Sequence, residues 1–398
     1  MTSCDVIVIG AGAAGLMAAM TAGQRGRRVC VLEHTSGVGA KILISGGGRC
    51  NFTNRRVGID NFLSANPNFA RSALARYTPQ DFIALVERHG IAYYEKTLGQ
   101  LFCEGAGQAR AIVAMLMREC ADAGVTVTTG AAVADVARAA DGWRVAIADG
   151  SHWVAPSLIV ATGGLSIPKM GATSFAYELA ERFGLAIEPT RPALVPFTLD
   201  DAARARFAPL AGVSAPIAAS ARTGPRFAEA LLVTHRGLSG PAILQASSYW
   251  RPGEAVRLDF DPDRAFAERL LALKRERPKI TVRSALALLY PARLAALFAD
   301  AYADGGERTL ADARDQSLRD LNATLSDLAV TPAGTEGYAK AEVTAGGVST
   351  ADLSSKTMEA RTVPGLFFVG EAVDVTGWLG GYNFQWAWSS GWAAGQAV

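Results

Sequence analysis

Val6-Ile7-Val8-Ile9-Gly10-Ala11-Gly12-Ala13-Ala14-Gly15 runs straight into Leu16-Met17-Ala18-Ala19-Met20, and Arg28-Val29-Cys30-Val31-Leu32-Glu33 follows. Four successive β-branched residues read as a strand buried on both faces of a parallel sheet. The helix formers after Gly15 and the second apolar run ending in an acid complete a strand–turn–helix–strand unit. In such a unit Gly10 permits the tight turn, Gly12 lets a diphosphate reach the backbone, and Gly15 lets helix and strand pack closely. Glu33 is placed for a ribose hydroxyl. The turn, with Ala13 and Ala14 in it, is expected to hold a dinucleotide at a helix start, and Glu33 disfavours a 2′-phosphate there.

The end of the chain offers a complementary turn, whose Gly370, Glu371, Gly380, Gly381, Tyr382 and Asn383 are expected at the same cofactor. Gly365-Leu366-Phe367-Phe368-Val369-Gly370-Glu371 is an apolar strand closing on a glycine and a carboxylate, and Gly380-Gly381-Tyr382-Asn383 opens an apparent helix that runs towards residue 398. Such a helix start presents N–H groups and partial positive charge. Leu158-Ile159-Val160-Ala161 ends in Thr162-Gly163-Gly164, a further close approach of backbone to a nucleotide. Residues 37–54, which include Lys41 and Gly46-Gly47-Gly48-Arg49-Cys50-Asn51, are too glycine-rich for a helix and lack strand alternation. They are expected to form an extended segment passing a planar ring.

Size and composition bound the possibilities. A chain of 398 residues, 50% hydrophobic and 19% charged, can bury a large core in two or three domains. A net charge of +2 does not by itself argue for a nucleic-acid partner. No basic and apolar leader precedes the first strand, no apolar run reaches membrane-span length, and the five cysteines form no C-x-x-C. The reading is a cytoplasmic protein without a disulfide framework, a metal site or a membrane association.

These motifs resemble the BaiN-type, aminoacetone oxidase-like family of bacterial FAD-dependent flavoproteins. The resemblance rests on residues 10–15, 41–54 and Ala161-Thr162-Gly163-Gly164. It continues through Thr234-His235-Arg236-Gly237-Leu238-Ser239-Gly240-Pro241, Val343-Thr344-Ala345-Gly346-Gly347-Val348, and Gly370-Glu371 to Trp386. It implies an FAD domain interrupted by an insert. It also implies FAD contacts from Gly10, Gly12, Gly15 and Glu33, from Lys41, Arg49, Cys50 and Asn51, and from Gly163, Gly370, Asp374, Gly381 and Asn383. Phe102-Cys103, Ser174-Phe175-Ala176 and Gly184-Leu185 depart from the family pattern and point to a distinct subgroup.

The expected fold is α/β: a discontinuous Rossmann-like FAD-binding domain, residues 1–188 and 339–398, around an inserted domain of residues 189–338. The insert reads as β-rich over 189–262, where short runs alternate with Pro and Gly, and mainly helical over 263–338. The sequence predicts helices over 79–89 and 109–123.

The expected activity is that of an FAD-dependent oxidoreductase acting on a small molecule, by amine oxidation or by reduction of an activated C=C bond. The resemblance also admits a ribosomal RNA dihydrouridine synthase-like activity, and a flavin carrier without turnover is a further alternative. With one dinucleotide fingerprint, NAD(P)H enters only as a transient reductant. Candidate reactive groups are Cys50, either a thiolate lowered by Arg49 or a small buried residue packed against the ring, and His235 and Tyr382 for proton transfer. Lys274-Arg275-Glu276-Arg277-Pro278-Lys279, with Arg283, is the basic cluster an RNA reading would use; a solvated helix end is the other reading. The Gly-Leu-Ser-Gly-Pro turn at 237–241 is expected either to cap a ligand or to start a helix with Pro241 at its first position. Trp388 and Trp392, at helical spacing, read as core.

Overall fold

The computed structural model of the chain describes every residue except Met1, Ala106 and Asp141. The chain folds into two compact units, Met1–Pro192 with Glu342–Val398, and Ala193–Ala341. Strand Ile187–Ala193 forms a two-stranded sheet with Val343–Val348. That pairing carries residues 189–192 into the first unit, past the boundary at 188 expected from the Pro/Gly pattern.

The first unit is built on a five-stranded parallel sheet. Its order is Leu366–Phe368, Ser157–Val160, Val6–Ile9, Val29–Glu33, Thr126–Thr129. All of Val6–Ile9 and all of Val29–Glu33 are buried, as their continuous apolar runs demand of strands covered on both faces. Helix Ala13–Gln24 follows the first strand, and helices fill Pro79–Arg88 and Ala109–Asp122.

Helix Tyr382–Gly395 packs directly against Ala13–Gln24. The packing depends on missing side chains: a Cβ on Gly391 would lie 2.4 Å from the Ala14 carbonyl oxygen, and one on Gly395 would lie 2.6 Å from that of Ala18. The far side of the C-terminal helix is aromatic. Trp388 is fully buried, stacks on Phe82 with centroids 4.3 Å apart, and donates its indole N–H to the Phe52 carbonyl at 2.8 Å. Trp392 is half-buried beside Tyr77.

The second unit has its own core. A seven-stranded sheet runs Leu328–Val330, Val256–Asp259, Ser214–Ser220, Phe227–Val233, Gly237–Ser239, Phe197–Thr198, Gly334–Thr335, with antiparallel neighbours. Four helices lie between residues 266 and 325: Phe266–Glu276, Val282–Leu289, Ala292–Asp300 and Asp315–Leu325. Pro241 occupies the first turn of helix Pro241–Ser247, with Gly240 as its cap, as the helix-start reading of the Gly-Leu-Ser-Gly-Pro turn expects. Strands at 328–330 and 334–335 end a region expected to be mainly helical; Leu328–Val330 pairs with Val256–Asp259, a long-range partner that no local pattern reveals.

Residues 37–54 also differ from the expected extended segment. They form helix Ala40–Ile44, a 3₁₀ turn at Ser45–Gly48 and strand Asn51–Asn54. The strand exists because it finds Gln100–Cys103 as a partner. Gly46, Gly47 and Gly48 lie in the turn between the two elements, while Gly37 and Gly39 precede the helix, with Gly39 as its cap.

Candidate functional site: a glycine cradle between two helix starts

The first parallel strand ends at Gly10, whose φ of +103° is open to glycine and strained for other residues. A Cβ there would lie 2.6 Å from the Ala161 carbonyl oxygen, and one on Gly15 would lie 1.9 Å from that of Gly10. Gly10 therefore serves the close approach of neighbouring strand ends, and Gly15 the packing of helix on strand. Gly12 is different. It caps helix Ala13–Gln24 in an extended conformation with no side-chain cap, and a Cβ would meet no protein atom within 4 Å. Gly163 likewise faces open space.

Thr162 lies beside Gly10: a Gly10 Cβ would be 3.2 Å from the Thr162 Cα. The Thr162 hydroxyl is buried without a hydrogen-bond partner among the described residues. An unmade bond of this kind costs about 1–3 kcal/mol, and a ligand oxygen would remove that cost. Open backbone at Gly12 and Gly163, an uncapped helix start and an orphan hydroxyl fit the diphosphate and ribose of a dinucleotide such as FAD.

Glu33 ends its strand 8% exposed. One carboxylate oxygen accepts the Ala11 N–H at 2.8 Å; the other accepts the Thr35 N–H at 2.9 Å and the Thr35 hydroxyl at 2.8 Å. These bonds fix the carboxylate beside the turn and leave lone pairs for a ribose hydroxyl.

Gly370 joins the cradle from the other end of the chain. A Cβ there would lie 2.8 Å from the Ala14 Cβ, its N–H donates to Ser390 Oγ at 3.0 Å, and its carbonyl accepts the Trp386 indole N–H at 2.9 Å. Glu371, next along, accepts from Lys41 Nζ at 2.6 Å, Ser166 Oγ at 2.7 Å and the Thr344 N–H at 2.9 Å; Lys41 also donates to Ser166 Oγ at 2.7 Å. Gly164 is seated on this cluster, since a Cβ would lie 2.6 Å from Thr344 Oγ1 and 2.9 Å from Glu371 Oε1. Lys41 and Glu371, each expected as a cofactor contact, are first of all partners of one another. Ser166 completes the cluster and carries no signal in the sequence that could have found it.

The second helix start lies at Gly381, with φ +96°, no side-chain cap and no acid in the first turn. A Cβ there would lie 2.4 Å from the Thr53 carbonyl oxygen. Asn54 donates to the Gly380 carbonyl at 3.0 Å, and Asn51, with its amide oriented to satisfy both ends, accepts the Gly381 N–H at 3.2 Å. Strand Asn51–Asn54 thus holds the helix opening in place.

Several side chains expected at the cofactor are engaged elsewhere. The Asn383 amide accepts the Gly377 N–H at 2.8 Å and donates to the carbonyls of Gly377 at 2.9 Å and Trp378 at 3.2 Å, so its side chain is a staple of the loop. Asp374 accepts the Ala65 N–H at 2.7 Å; burial pushes its carboxyl above the usual range. Tyr382 is buried and packs edge-on to Phe62 and Trp378. His235 is exposed in the second unit, beside Arg236, which pairs with Glu336 at 3.4 Å.

Cys50 requires a correction. Of the two readings the thiolate beside Arg49 does not hold: Cys50 is a fully buried thiol next to Cys103, whose N–H donates to the Cys50 carbonyl at 3.3 Å, and the neighbouring thiol, then burial, push it up rather than down. Arg49 turns away to the surface, over the Phe102 ring and onto the Gly46 carbonyl at 3.2 Å. Register explains the cysteine pairing: Asn51 stands opposite Phe102, which brings the preceding Cys50 to the following Cys103. All five cysteines are buried, and burial also raises Cys120 to about 12. Native protein at pH 8 is expected to show no rapid thiol reaction with Ellman's reagent and five thiols once unfolded. Fast modification of Cys50 in the native state would contradict the burial.

The insert's basic cluster is also partly neutralised. Lys274 pairs with Asp315 at 2.6 Å, and Arg283 with Asp300 at 2.7 Å and Glu307 at 2.9 Å. Among the described residues no three or more His, Cys, Asp or Glu are grouped to hold a metal, and no helix is long and apolar enough to cross a membrane.

A protein of Escherichia coli K12 named ribosomal RNA dihydrouridine synthase is 49% identical over 404 aligned residues, covering 100% of this chain and 98% of its own length. A 3-dehydro-bile acid Δ(4,6)-reductase of Clostridium scindens is 30% identical, with 98% of each chain covered. Among solved structures, the 3-ketosteroid-Δ4-(5α)-dehydrogenase of Rhodococcus jostii RHA1 is similar in fold, with a TM-score of 0.51 at 15% identity over 99% of this chain and 97% of that one. The HI0933-like protein Rossmann domain matches residues 4–397, and the chain belongs to that family.

Proposed function

We propose that the chain is an FAD-dependent oxidoreductase that reduces the C5=C6 bond of a uridine in ribosomal RNA. The carrying observation is the relative named for that product, which is 49% identical across the whole of this chain. Uridine and dihydrouridine differ by two hydrogens across a C=C bond conjugated to a carbonyl. Saturation of such a bond needs a hydride at the β-carbon and a proton at the α-carbon. When bound, FAD supplies the hydride transfer.

The proton comes from water, and the chain's own residues bind and orient the cofactor. Gly12 and Gly163 leave backbone open to the diphosphate, the uncapped start of Ala13–Gln24 favours its charge, Glu33 takes the ribose, and Thr162 donates its free hydroxyl. The start of Tyr382–Gly395 lends positive potential where negative charge develops on the ring. NADPH or NADH serves as a passing reductant.

The C. scindens relative favours a second reading, reduction of a conjugated C=C in a small molecule, which is the same bond chemistry on another carrier.

One experiment decides between them. Flavin-loaded protein is mixed anaerobically with NADPH or NADH, then with a ribosomal RNA transcript or a conjugated enone. The nicotinamide is expected to bleach the flavin's visible absorbance and the RNA to restore it, with one uridine gaining two hydrogens by mass spectrometry. Restoration by the enone alone would replace the RNA reading with the second. Purified protein releasing no flavin on denaturation would end both.

A further inference from the structure

Three of the five large apolar side chains left exposed among the described residues, Leu43 (37%), Ile44 (42%) and Leu98 (51%), sit in segments at opposite ends of one short ladder. The ladder pairs Asn51–Asn54 with Gln100–Cys103, Asn51 opposite Phe102 and Asn54 opposite Gln100. At about 3.3 Å per residue the strip between its ends is roughly 10 Å long. At one end the Arg49 guanidinium lies 5.5 Å and the Lys96 ammonium 5.6 Å from the centroid of Phe102, which stacks on Tyr94 at 5.8 Å. Gly46 rests on the same ring, since a Cβ would lie 2.7 Å from its Cε1.

At the other end Leu98 has φ +61°, a conformation that bulky side chains rarely adopt. The Asn54 amide holds it by donating to the Leu98 carbonyl at 3.1 Å, and the same amide bonds Gly380. The strip is therefore tied to the helix start of the cradle. Arg55 donates its N–H to the Gly99 carbonyl at 2.9 Å, and Arg56 Cγ lies 3.4 Å from where a Gly99 Cβ would be.

The charge is one-sided. Between Glu33 and Asp60 the chain has no carboxylate and four cations: Lys41, which is taken up by Glu371, and Arg49, Arg55 and Arg56. Glu95 lies on the neighbouring strand and is taken up by Arg55 at 2.7 Å; Glu104 follows Cys103 and is exposed. Exposed Arg56 has no ion pair among the described residues.

A row of cations beside exposed Leu43, Ile44 and Leu98 suits a single-stranded nucleic acid, whose phosphates need Arg or Lys and whose unstacked bases lie on guanidinium planes and apolar side chains. We propose that this strip of the first unit grips the single-stranded RNA flanking the target uridine. Arg56 and Lys96 take phosphates, and the exposed Arg49 guanidinium, backed by the buried Phe102 ring, and Leu98 carry bases. The inference rests on the RNA reading above and locates its contacts away from the Lys274–Lys279 cluster that the sequence singled out.

The test uses flavin-loaded protein carrying Arg56→Glu with Lys96→Glu, and the milder Arg56→Gln with Lys96→Gln in case the reversal perturbs folding. The probe is a ribosomal RNA transcript titrated over a range of salt. With two phosphate contacts gone, the slope of log affinity against log salt is expected to fall by about 1.4. Affinity at low salt is expected to fall at least about 30-fold for the reversal and less for the neutral pair. Flavin content and the rate of flavin reduction by NADPH stay unchanged. Arg275→Glu with Arg277→Glu is expected to leave the slope as it was. A full wild-type slope in both strip variants, with RNA still reduced, overturns the strip and leaves the RNA reading standing. Wild-type protein that neither binds nor reduces RNA overturns both.

Discussion

Gly12→Glu is expected to give a folded, colourless protein. The Gly12 backbone is extended, at φ −82° and ψ −170°, which any residue adopts, and the position caps a helix without help from a side chain. A Cβ meets no protein atom within 4 Å, so the cost to the apoprotein is within about 1 kcal/mol. The added carboxylate enters the space proposed for the diphosphate. Two like charges about 4 Å apart repel by roughly 1–4 kcal/mol between bulk water and a protein surface, and lost close approach adds to that. Flavin content after purification is expected to fall at least tenfold, while the apoprotein's melting temperature moves by less than about 3 °C. A variant that keeps its flavin would remove the diphosphate from this turn.

Gly391→Val is expected to weaken flavin binding by destabilising the fold and forcing the two helices apart. The Gly391 site faces the Ala14 carbonyl at 2.4 Å from a would-be Cβ, with the Met17 Cβ 3.1 Å away. The obstruction is helix backbone, which cannot rotate aside as a side chain can. The two helices must move apart, and overpacking of this kind costs about 3 kcal/mol. That corresponds to a melting temperature lower by about 6–12 °C for a unit of this size. Separation of the helices also pulls Gly370 from Ala14 and misaligns the two helix starts. Gly391→Ala is expected to show the same effects at smaller size. An unchanged melting temperature in the valine variant would mean that the helices do not meet as described.

The two variants separate the roles of glycines that look alike in the sequence. Gly10, Gly12 and Gly15 share one motif, yet the first and third have backbone where a side chain would go and the second has open space. The motif and the apolar runs were legible because each reports on a neighbour a few residues away: a strand, its turn and the following helix. The same locality made Pro79–Arg88 and Ala109–Asp122 legible, since a helix face repeats within two turns.

What stayed hidden involves partners far apart in the chain. Cys50 looked like a thiolate next to Arg49, but strand pairing hands it to Cys103 and sends Arg49 to the surface. Lys41 and Glu371, 330 residues apart, form an ion pair with Ser166 that no pattern in either segment announces. Asn383 reads as a ligand contact and is a staple across six residues.

The sequence alone determined the parallel α/β core and the two glycine turns that mark the cradle, because turn geometry and burial periodicity are written in short stretches. Only the tertiary structure decided which polar groups remain free for a ligand. A side chain's availability depends on whether packing has already supplied it with a partner, and those partners come from strands and helices hundreds of residues away.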